Sequence, residues 1–434
     1  MKTKLITITT TLVLMISFSC QDIIYENDYL NTPVYMNYEQ LRKSVKVNTS
    51  ETLKKPGKIY FKDGYIFINE ELKGVHVIDN RNPANPVNMS FITIPGNMDI
   101  AIKGDIMYAD SYVDLVAIDI SNITQPKEVA RVKAVFPYTL PPKENNNLEI
   151  DQIDESKGVV TGWDIKLVRN RIESRHFPVY TGGWFDKSME FVSPSTNGGG
   201  FSSLSGSGSS SAFGIGGSMA RFGLNGDYLY VVDKTQFHVI DVKNGDKPKL
   251  VGELSVNNNE VETMFIVDDH IFLGTRSGML IYSLDDPKNP QFKSRYSHIN
   301  SCDPVVVQNH IAYVTLHSGN ACGRSVNRLD ILTLSQDYTE ATLAYSYNMN
   351  KPYGLGLDDE ILFLCDGQKG LRIFNASDLS MIDQHEIATF EDIKAFDVIP
   401  FDNYLFMIGD DGFYQYNYSD INNIYEISHI PVEE

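Results

Sequence analysis

The chain has 434 residues, 42% of them hydrophobic, and a formal net charge of −19 at pH 7. An acidic surface repels phosphate backbones, so the composition argues against nucleic-acid binding. The length is sufficient for one large domain, and the four cysteines suit an exported protein.

Residues 1–19 have the features of a secretory signal. Lys2 and Lys4 precede an apolar run from Leu5 to Ile16, which is too short to remain as a membrane span. A small residue followed by Cys20 resembles a bacterial lipobox, which implies cleavage and lipid attachment at Cys20. The alternative is an ordinary signal peptide with an incidental cysteine.

Residues 20–46 are predicted to form a lipid-anchored tether before a domain that spans 47–434. Its polar, acidic beginning resembles either a surface-export signal or a plain linker. Within it, Met36–Val45 suits a short helix, whereas Val45–Val47 suits a strand that helps to close a ring. No later stretch is long and apolar enough to cross a membrane, so the lipid is the expected anchor.

A strand-turn motif recurs along the rest of the chain. It first appears as GVHVIDNRNPANP from Gly74 to Pro86 and returns at intervals of about 40 to 50 residues, with one longer gap between Asp119 and Asp241. A period of this length with several short strands per unit is typical of propeller blades. The later copies begin at Leu115, Phe237 and Met279, with weaker ones at Arg328, Leu371 and Phe413.

Each unit contains four short strands rich in Val, Ile, Tyr and Phe. In the third unit they begin at Met219, Tyr228, Phe237 and Leu250, and turn residues such as Asn225-Gly226 separate them. One such sheet cannot bury its own faces, whereas radial packing of successive sheets buries both. The pattern predicts an all-β fold, a β-propeller of seven four-stranded blades, with six or eight as alternatives.

The motif resembles the LVIVD repeat, which occurs in predicted β-propellers of bacterial surface and secreted proteins. A lipidated N-terminus followed by such repeats resembles LVIVD lipoproteins of Bacteroidetes-type bacteria. The resemblance implies the fold and a cell-envelope location, but it supplies no established catalytic residues. Propellers of the tryptophan-aspartate and kelch types fit less well, because both tryptophans lie in an insertion.

That insertion covers residues 136–217, between blades two and three, and explains the long gap. It begins with prolines, continues through a more ordered part around Trp163 and Trp184, and ends in a Gly/Ser-rich tract from Ser195 to Ser218. Such a tract lacks the apolar content to fold alone and is predicted to be partly flexible. The insertion should emerge from the face that carries the second-to-third-strand turns and the connections between blades, which we call the insert-bearing face.

A ring of polar residues at the starts of the inner strands is the candidate ligand site. It is expected at the mouth of the central channel, where loops on a rigid scaffold often carry function. The ring suits a small ligand or glycan, although any wet channel would also be polar. Its members are Lys58, Asp99, Arg221, Glu262, Asp303, Tyr353 and Lys394.

Four aspartates close second strands at the rim of the same face, where capping of turn amides is the simpler interpretation and calcium binding the other. His76 and His238 hold one strand position that also accepts Val, Tyr and Arg, so no metal ligand role is expected. No cofactor or metal motif occurs, and neither is predicted. The four aspartates are Asp110, Asp233, Asp366 and Asp410.

Three cysteines remain once Cys20 carries lipid. We predict a disulfide between Cys302 and Cys322 that holds the loop from Ser318 to Arg324. The competing pair is Cys322 with Cys365, and three buried free thiols are the third possibility.

Taken together, these features favour a non-enzymatic scaffold on the outer membrane or cell surface. It would bind a protein or glycan through the insert-bearing face. The alternative is a glycan hydrolase or lyase with its acids at the channel mouth, since propellers also host enzymes without recognisable motifs. A purely structural role in an envelope complex is a third hypothesis.

Overall fold

The computed structural model describes residues 24–172, 215–233, 235–256, 261–297, 304–318, 326–391 and 393–433. The chain divides into two compact units. The larger contains residues 36–140, 157–159 and 192–434, and the smaller contains residues 1–35, 141–156 and 160–191.

The larger unit is a propeller of seven blades, as the repeat predicted, and each blade contains an antiparallel four-stranded meander. The strands are given from the inside of each blade to the outside. Blade one contains Pro56–Lys62, Tyr65–Glu70, Gly74–Asp79 and Val87–Thr93, and blade two contains Ile100–Lys103, Ile106–Ser111, Asp114–Asp119 and Lys127–Val132. Blade three contains Phe222–Asn225, Tyr228–Val232, Gln236–Asp241 and Lys249–Ser255, and blade four contains Val261–Val267, His270–Thr275, Gly278–Ser283 and Gln291–Ser297. Blades five to seven are Val305–Gln308, Ile311–Leu316, Arg328–Leu334, Ala341–Asn348; Leu355–Asp358, Ile361–Cys365, Leu371–Asn375, Glu386–Phe390; and Ala395–Phe401, Tyr404–Gly409, Gly412–Asn417, Tyr425–Pro431.

The side chain that ends the third strand holds the turn that follows it, which explains why the repeat keeps an acid or amide at this position. The Asp79 carboxylate accepts the backbone N–H of the residue two positions later at 3.1 Å, and those of Asp119 and Asp241 do the same at 2.8 and 3.0 Å. Asn375 and Asn417 make the same bond at 2.9 Å. Asn has the same acceptor geometry as Asp, so the weaker repeats preserve the turn.

The core lies between successive blades. Val75 and Val77 of blade one share a fully buried cluster with Ile100 and Ile102 of blade two, and comparable clusters join the later blades. Each sheet thus buries both faces against its neighbours, which is the reason that repetition stabilises the fold.

Blades one and seven close the ring through contacts between the two ends of the chain. The side-chain amides of Asn80 and Gln415 exchange two hydrogen bonds of 2.8 Å, and both residues are buried. Leu53 forms a parallel bridge with Val432, and its carbonyl accepts the N–H of Glu433 at 2.8 Å.

The stretch before blade one contains both of the elements considered for it. A short α-helix, Tyr38–Leu41, begins with a capping box between Asn37 and Gln40. The strand Lys46–Thr49 follows and pairs with Val87–Thr93, so it extends the outer edge of blade one.

The strands Ile24–Met36 and Val159–Ile172 form a two-stranded sheet, and all but Met36 and Val159 belong to the smaller unit. Asn31 fastens a loop to it, since its amide nitrogen donates to the carbonyls of Asn145 at 2.8 Å and Leu148 at 3.0 Å. Residues 24–36 of the stretch predicted to be a tether therefore form a strand, and residues 155–157 and 159–172 of the insertion have regular structure. Three short 3₁₀ helices complete the chain's described elements: Glu155–Lys157, Gly367–Lys369 and Ile382–Gln384.

Among the described residues, no helix has the length and apolar character needed to cross a membrane.

Candidate functional site

Residues 215–221, which lead from the insertion into blade three, run across the centre of the propeller; we call them the crossing segment. Ile215 and Gly216 pair with Phe61 and Tyr60 and so add an innermost strand to blade one. Residues 216–220 are all buried.

The crossing segment also contacts four other blades. The Ser218 hydroxyl donates to Asp397 of blade seven at 3.3 Å and accepts the N–H of Leu355 of blade six at 2.7 Å. The Ala220 carbonyl accepts the N–H of Met264 of blade four at 2.8 Å. The Arg221 backbone N–H also donates to Asp99, beside blade two. The segment therefore touches the inner side of five of the seven blades.

Asp99 is the centre of the polar groups beside the crossing segment. Its Oδ2 accepts the Lys58 ammonium at 2.9 Å, the Arg221 backbone N–H at 2.6 Å and the Phe222 N–H at 3.2 Å. Lys58 and Asp99 are 7% and 3% exposed, and burial lowers the pKa of Lys58 despite its acidic partner. Three predicted ring members, Lys58, Asp99 and Arg221, therefore do meet.

The other members of the predicted ring do not join this cluster. Glu262 forms an ion pair with Arg276 at 3.2 Å, and the half-buried Tyr353 packs against the His317 ring with the two rings tilted at 49°. Lys394 is exposed. Asp303 lies outside the described residues.

Asp397 is the central residue that sequence reasoning missed. It is 1% exposed on the inner strand of blade seven, its Oδ1 accepts from Ser218 and Val398, and its Oδ2 has no hydrogen-bond partner. Burial raises its pKa to about 8. A Cβ on Gly217 would lie 1.6 Å from Oδ2, so glycine is required for the crossing segment to pass this carboxyl. Asp397 could have been noticed in the sequence because it is the one acid inside the apolar run from Ala395 to Ile399.

Two rim aspartates hold the connections between blades. The Asp110 carboxylate accepts the N–H groups of Met98 and Asp99 at 2.8 and 3.0 Å, and burial raises its pKa to about 6. Asp366 accepts those of Asn350 and Lys351 at 2.9 and 2.8 Å. These contacts match the capping interpretation.

The other two rim aspartates differ from this pair. Asp233 accepts the N–H groups of Thr235 and Gln236 in its own turn, at 3.0 and 2.9 Å. The backbone N–H of Asp410 donates to the Lys394 carbonyl at 3.2 Å. No group of three or more His, Cys, Asp or Glu residues in the described chain has the geometry to hold a metal ion.

The position shared by His76 and His238 proves to be the partner of an acid from the second strand. His76 lies 3.2 Å from Glu70 and His238 lies 2.9 Å from Asp233. Burial alone would raise the pKa of Glu70, but hydrogen bonds from His76 and two backbone N–H groups lower it to about 2. These pairs fasten the second strand to the third.

Cys365 is a buried free thiol, so it is not paired with Cys322. Burial raises its pKa well above the usual value, which makes it unreactive. Cys20, Cys302 and Cys322 lie outside the described residues.

An open polar groove on the insert-bearing face lies at blade six and has a volume of about 660 Å³. Two stretches that belong to that face line it: the connection from blade five and the second-to-third-strand turn. We call it the blade-six groove; its lining residues are Asn348, Met349, Asn350, Asp366, Lys369, Arg372, Glu386, Thr389 and Glu391.

The charges of the blade-six groove are paired with one another. Arg372 donates to Asp366 at 3.0 Å and also to Glu386, and Lys369 donates to Glu391 at 3.0 Å. Burial alone would lower the pKa of Arg372, but its two carboxylate partners raise it.

Comparison with known proteins supports the repeat and the fold. The LVIVD repeat matches residues 96–134 and 216–256, which cover blades two and three. No protein of curated function matches the chain.

Solved structures with similar folds are distant in sequence. A protein from Lactobacillus plantarum is 9% identical over 87% of this chain and 97% of its own, with a TM-score of 0.50. The periplasmic gluconolactonase of Pseudomonas aeruginosa is 8% identical over 90% and 98%, with a TM-score of 0.49. PorZ of Porphyromonas gingivalis, a surface component of the type-IX secretion system, is 10% identical over 89% and 40%, with a TM-score of 0.47. At 9% identity the Lactobacillus plantarum structure shows a likeness of fold alone. The chain is a seven-bladed propeller that carries LVIVD repeats.

Proposed function

We propose that this protein is a non-enzymatic binding scaffold of the cell envelope. It would be held by lipid on Cys20 and recognise a protein or glycan through its insert-bearing face. The observation that carries this proposal is the crossing segment. It passes beside three members of the predicted polar ring, and Lys58 and Asp99 are buried there and bonded to other protein groups. Lys58 and Asp99 are thus occupied by protein groups, so we expect ligand contacts on the outer loops, as in a scaffold.

The second candidate is a glycan hydrolase or lyase. One observation favours it: Asp110 and Asp397 have raised pKa values of about 6 and 8, as a general acid requires. Asp397, however, packs against Gly217 and bonds to Ser218. A substrate would reach it only after the crossing segment had left the channel, which makes binding the better-supported function.

Lipid attachment has a direct test. Wild-type protein expressed with its leader should fractionate with membranes and carry a diacylglyceryl mass on its N-terminal peptide. Cys20→Ala should release it to the soluble fraction. Recovery of that variant in the membrane fraction would contradict the lipid anchor.

Intact mass before and after reduction and alkylation would test the proposed bond between Cys302 and Cys322.

Binding is tested by capture on intact cells. The full chain is compared with a variant that lacks 173–214, because this deletion keeps the crossing segment and the described strands. We expect the full chain to recover a surface protein or polysaccharide, and the deletion to show whether the insertion contributes. Recovery of nothing, together with depletion of a glycan mixture by purified protein, would refute the scaffold and support the enzyme.

A further inference from the structure

The blade-six groove has unused hydrogen-bonding groups of a particular kind. Its cations and carboxylates already bind each other. The side-chain amides of Asn348 and Asn350, by contrast, make no hydrogen bond within the described part of the chain, and both residues are exposed. Each amide offers two donors and one acceptor oxygen with two lone pairs, so together they suit a partner that both donates and accepts.

Met349 lies between the two asparagines and gives the groove an apolar surface. It is half-buried, and its sulfur lies 3.5 Å from an Arg372 nitrogen. The Arg372 guanidinium is in turn held by the buried Asp366 and by the exposed Glu386, so the floor is anchored on its inner side. A rigid floor lowers the entropic cost of binding.

Charge decides which ligands fit. The groove contains three carboxylates, Asp366, Glu386 and Glu391, against two cations, Lys369 and Arg372, in a chain of net charge −19. An anionic ligand would be repelled. A cationic ligand would compete with Lys369 and Arg372, which already bind these carboxylates. A neutral ligand rich in hydroxyl groups meets neither penalty.

Building on the binding function proposed above, we infer that the blade-six groove binds a neutral oligosaccharide. Hydroxyl groups of the sugar bond to the Asn348 and Asn350 amides, and its C–H face covers Met349. The volume of about 660 Å³ lies within the range of roughly 300–1,000 Å³ that is usual for small-ligand sites.

The test measures binding of the full chain to immobilised neutral oligosaccharides and, separately, to uronate-containing ones. The variant is N348A/N350A. Both side chains are exposed and lack hydrogen-bond partners in the described structure, so folding should be unaffected. The matched control is N82A/N85A, which removes two exposed asparagines from a different surface pocket, on blade one.

We expect wild type and N82A/N85A to bind the same neutral oligosaccharide and N348A/N350A to bind it at least ten-fold more weakly. Unchanged binding by N348A/N350A would show that the blade-six groove is not the binding site. Binding of uronate-containing sugars alone would show that the ligand is not neutral. If no oligosaccharide binds, the inference fails. Capture of a surface protein by the same preparation would then keep the scaffold function, whereas capture of nothing would reject both.

Discussion

Asp397 shows how one buried side chain makes the stability of this propeller depend on pH. Its pKa is about 8 in the folded chain, against 3.8 ordinarily, because burial disfavours the charged form. Between these values the folded state keeps a proton that the unfolded state has lost. The free energy of unfolding therefore falls as pH rises, by about 1.4 kcal/mol per pH unit for one group, and levels off above pH 8.

Asp397→Asn should remove this dependence. Between pH 6 and pH 8 the free energy of unfolding of wild type should fall by about 2 to 3 kcal/mol more than that of the variant, measured by urea denaturation at each pH. Asp110, whose pKa is about 6, affects the pH dependence of the free energy of unfolding mainly below pH 6. The variant Asp110→Asn is therefore the comparison, and its slope between pH 6 and pH 8 should stay close to that of wild type. Equal slopes for wild type and Asp397→Asn would show that the carboxyl is already ionised at pH 6.

Among single residues, the sequence indicated some roles and concealed others. Lys58, Asp99 and Arg221 were found because each starts an inner strand, and topology brings such positions together. The contact of Ser218 could not be predicted from the sequence, because its partner Asp397 lies 179 residues away. The strand Ile215–Gly216 beside it has only two residues, too few to show an alternating pattern. Pairing between distant segments depends on tertiary packing, which periodicity does not report.

At the scale of the element, blades one, two, three and six each use an acid at the end of the second strand to fix the preceding connection or the third strand. Asp366 does both in blade six, since it accepts from the Asn350 and Lys351 N–H groups and from Arg372. Its side chain is fully buried. The repeat therefore encodes blade attachment as well as strand turns.

Asp366→Ala should lower the free energy of unfolding by about 2 to 4 kcal/mol, because it leaves two backbone N–H groups and part of a guanidinium without their acceptor. The control is Asp378→Ala in the same blade, an exposed turn residue that accepts from Ser380 at 2.9 Å. That change should cost less than about 1 kcal/mol. Equal losses in denaturant titrations would contradict the role of Asp366.

The strand pattern of the elements was readable because short apolar strands and turn residues are local signals. Asp79, Asp119 and Asp241 mark the ends of third strands, and the replacement by Asn375 and Asn417 preserved the same turn. The strand Ile24–Met36 was not foreseen. Its polar, acidic sequence reads as a linker, and its pairing with Val159–Ile172 is long-range.

For the whole molecule, ring closure rests on contacts between residues far apart in the chain. Asn80 and Gln415 are separated by 335 positions and exchange two buried hydrogen bonds. Removal of Gln415 takes away one donor and one acceptor from the Asn80 amide. Removal of Asn80 leaves the Gln415 oxygen without its donor, while the Gln415 nitrogen keeps the Pro83 carbonyl and the Ser428 hydroxyl as acceptors. Each loss should cost about 1 to 3 kcal/mol. This pair joins the first blade to the last.

A double-mutant cycle of Asn80→Ala and Gln415→Ala should give a coupling energy of about 0.5 to 3 kcal/mol by chemical denaturation. The double variant should lose less stability than the sum of the two single variants, because no orphaned amide remains. Strict additivity would mean that the two blades close without this contact. Asn80→Ala with Asp378→Ala provides a pair that should be additive.

The crossing segment also determines the order in which this ring can be assembled. It is connected to chain at both ends and precedes blades four, six and seven, yet its partners Met264, Leu355 and Asp397 belong to those blades. Its hydrogen bonds to those blades can form only once the later chain lies beside it. The ring is then built on an internal template, and such late, distant pairings make folding slow.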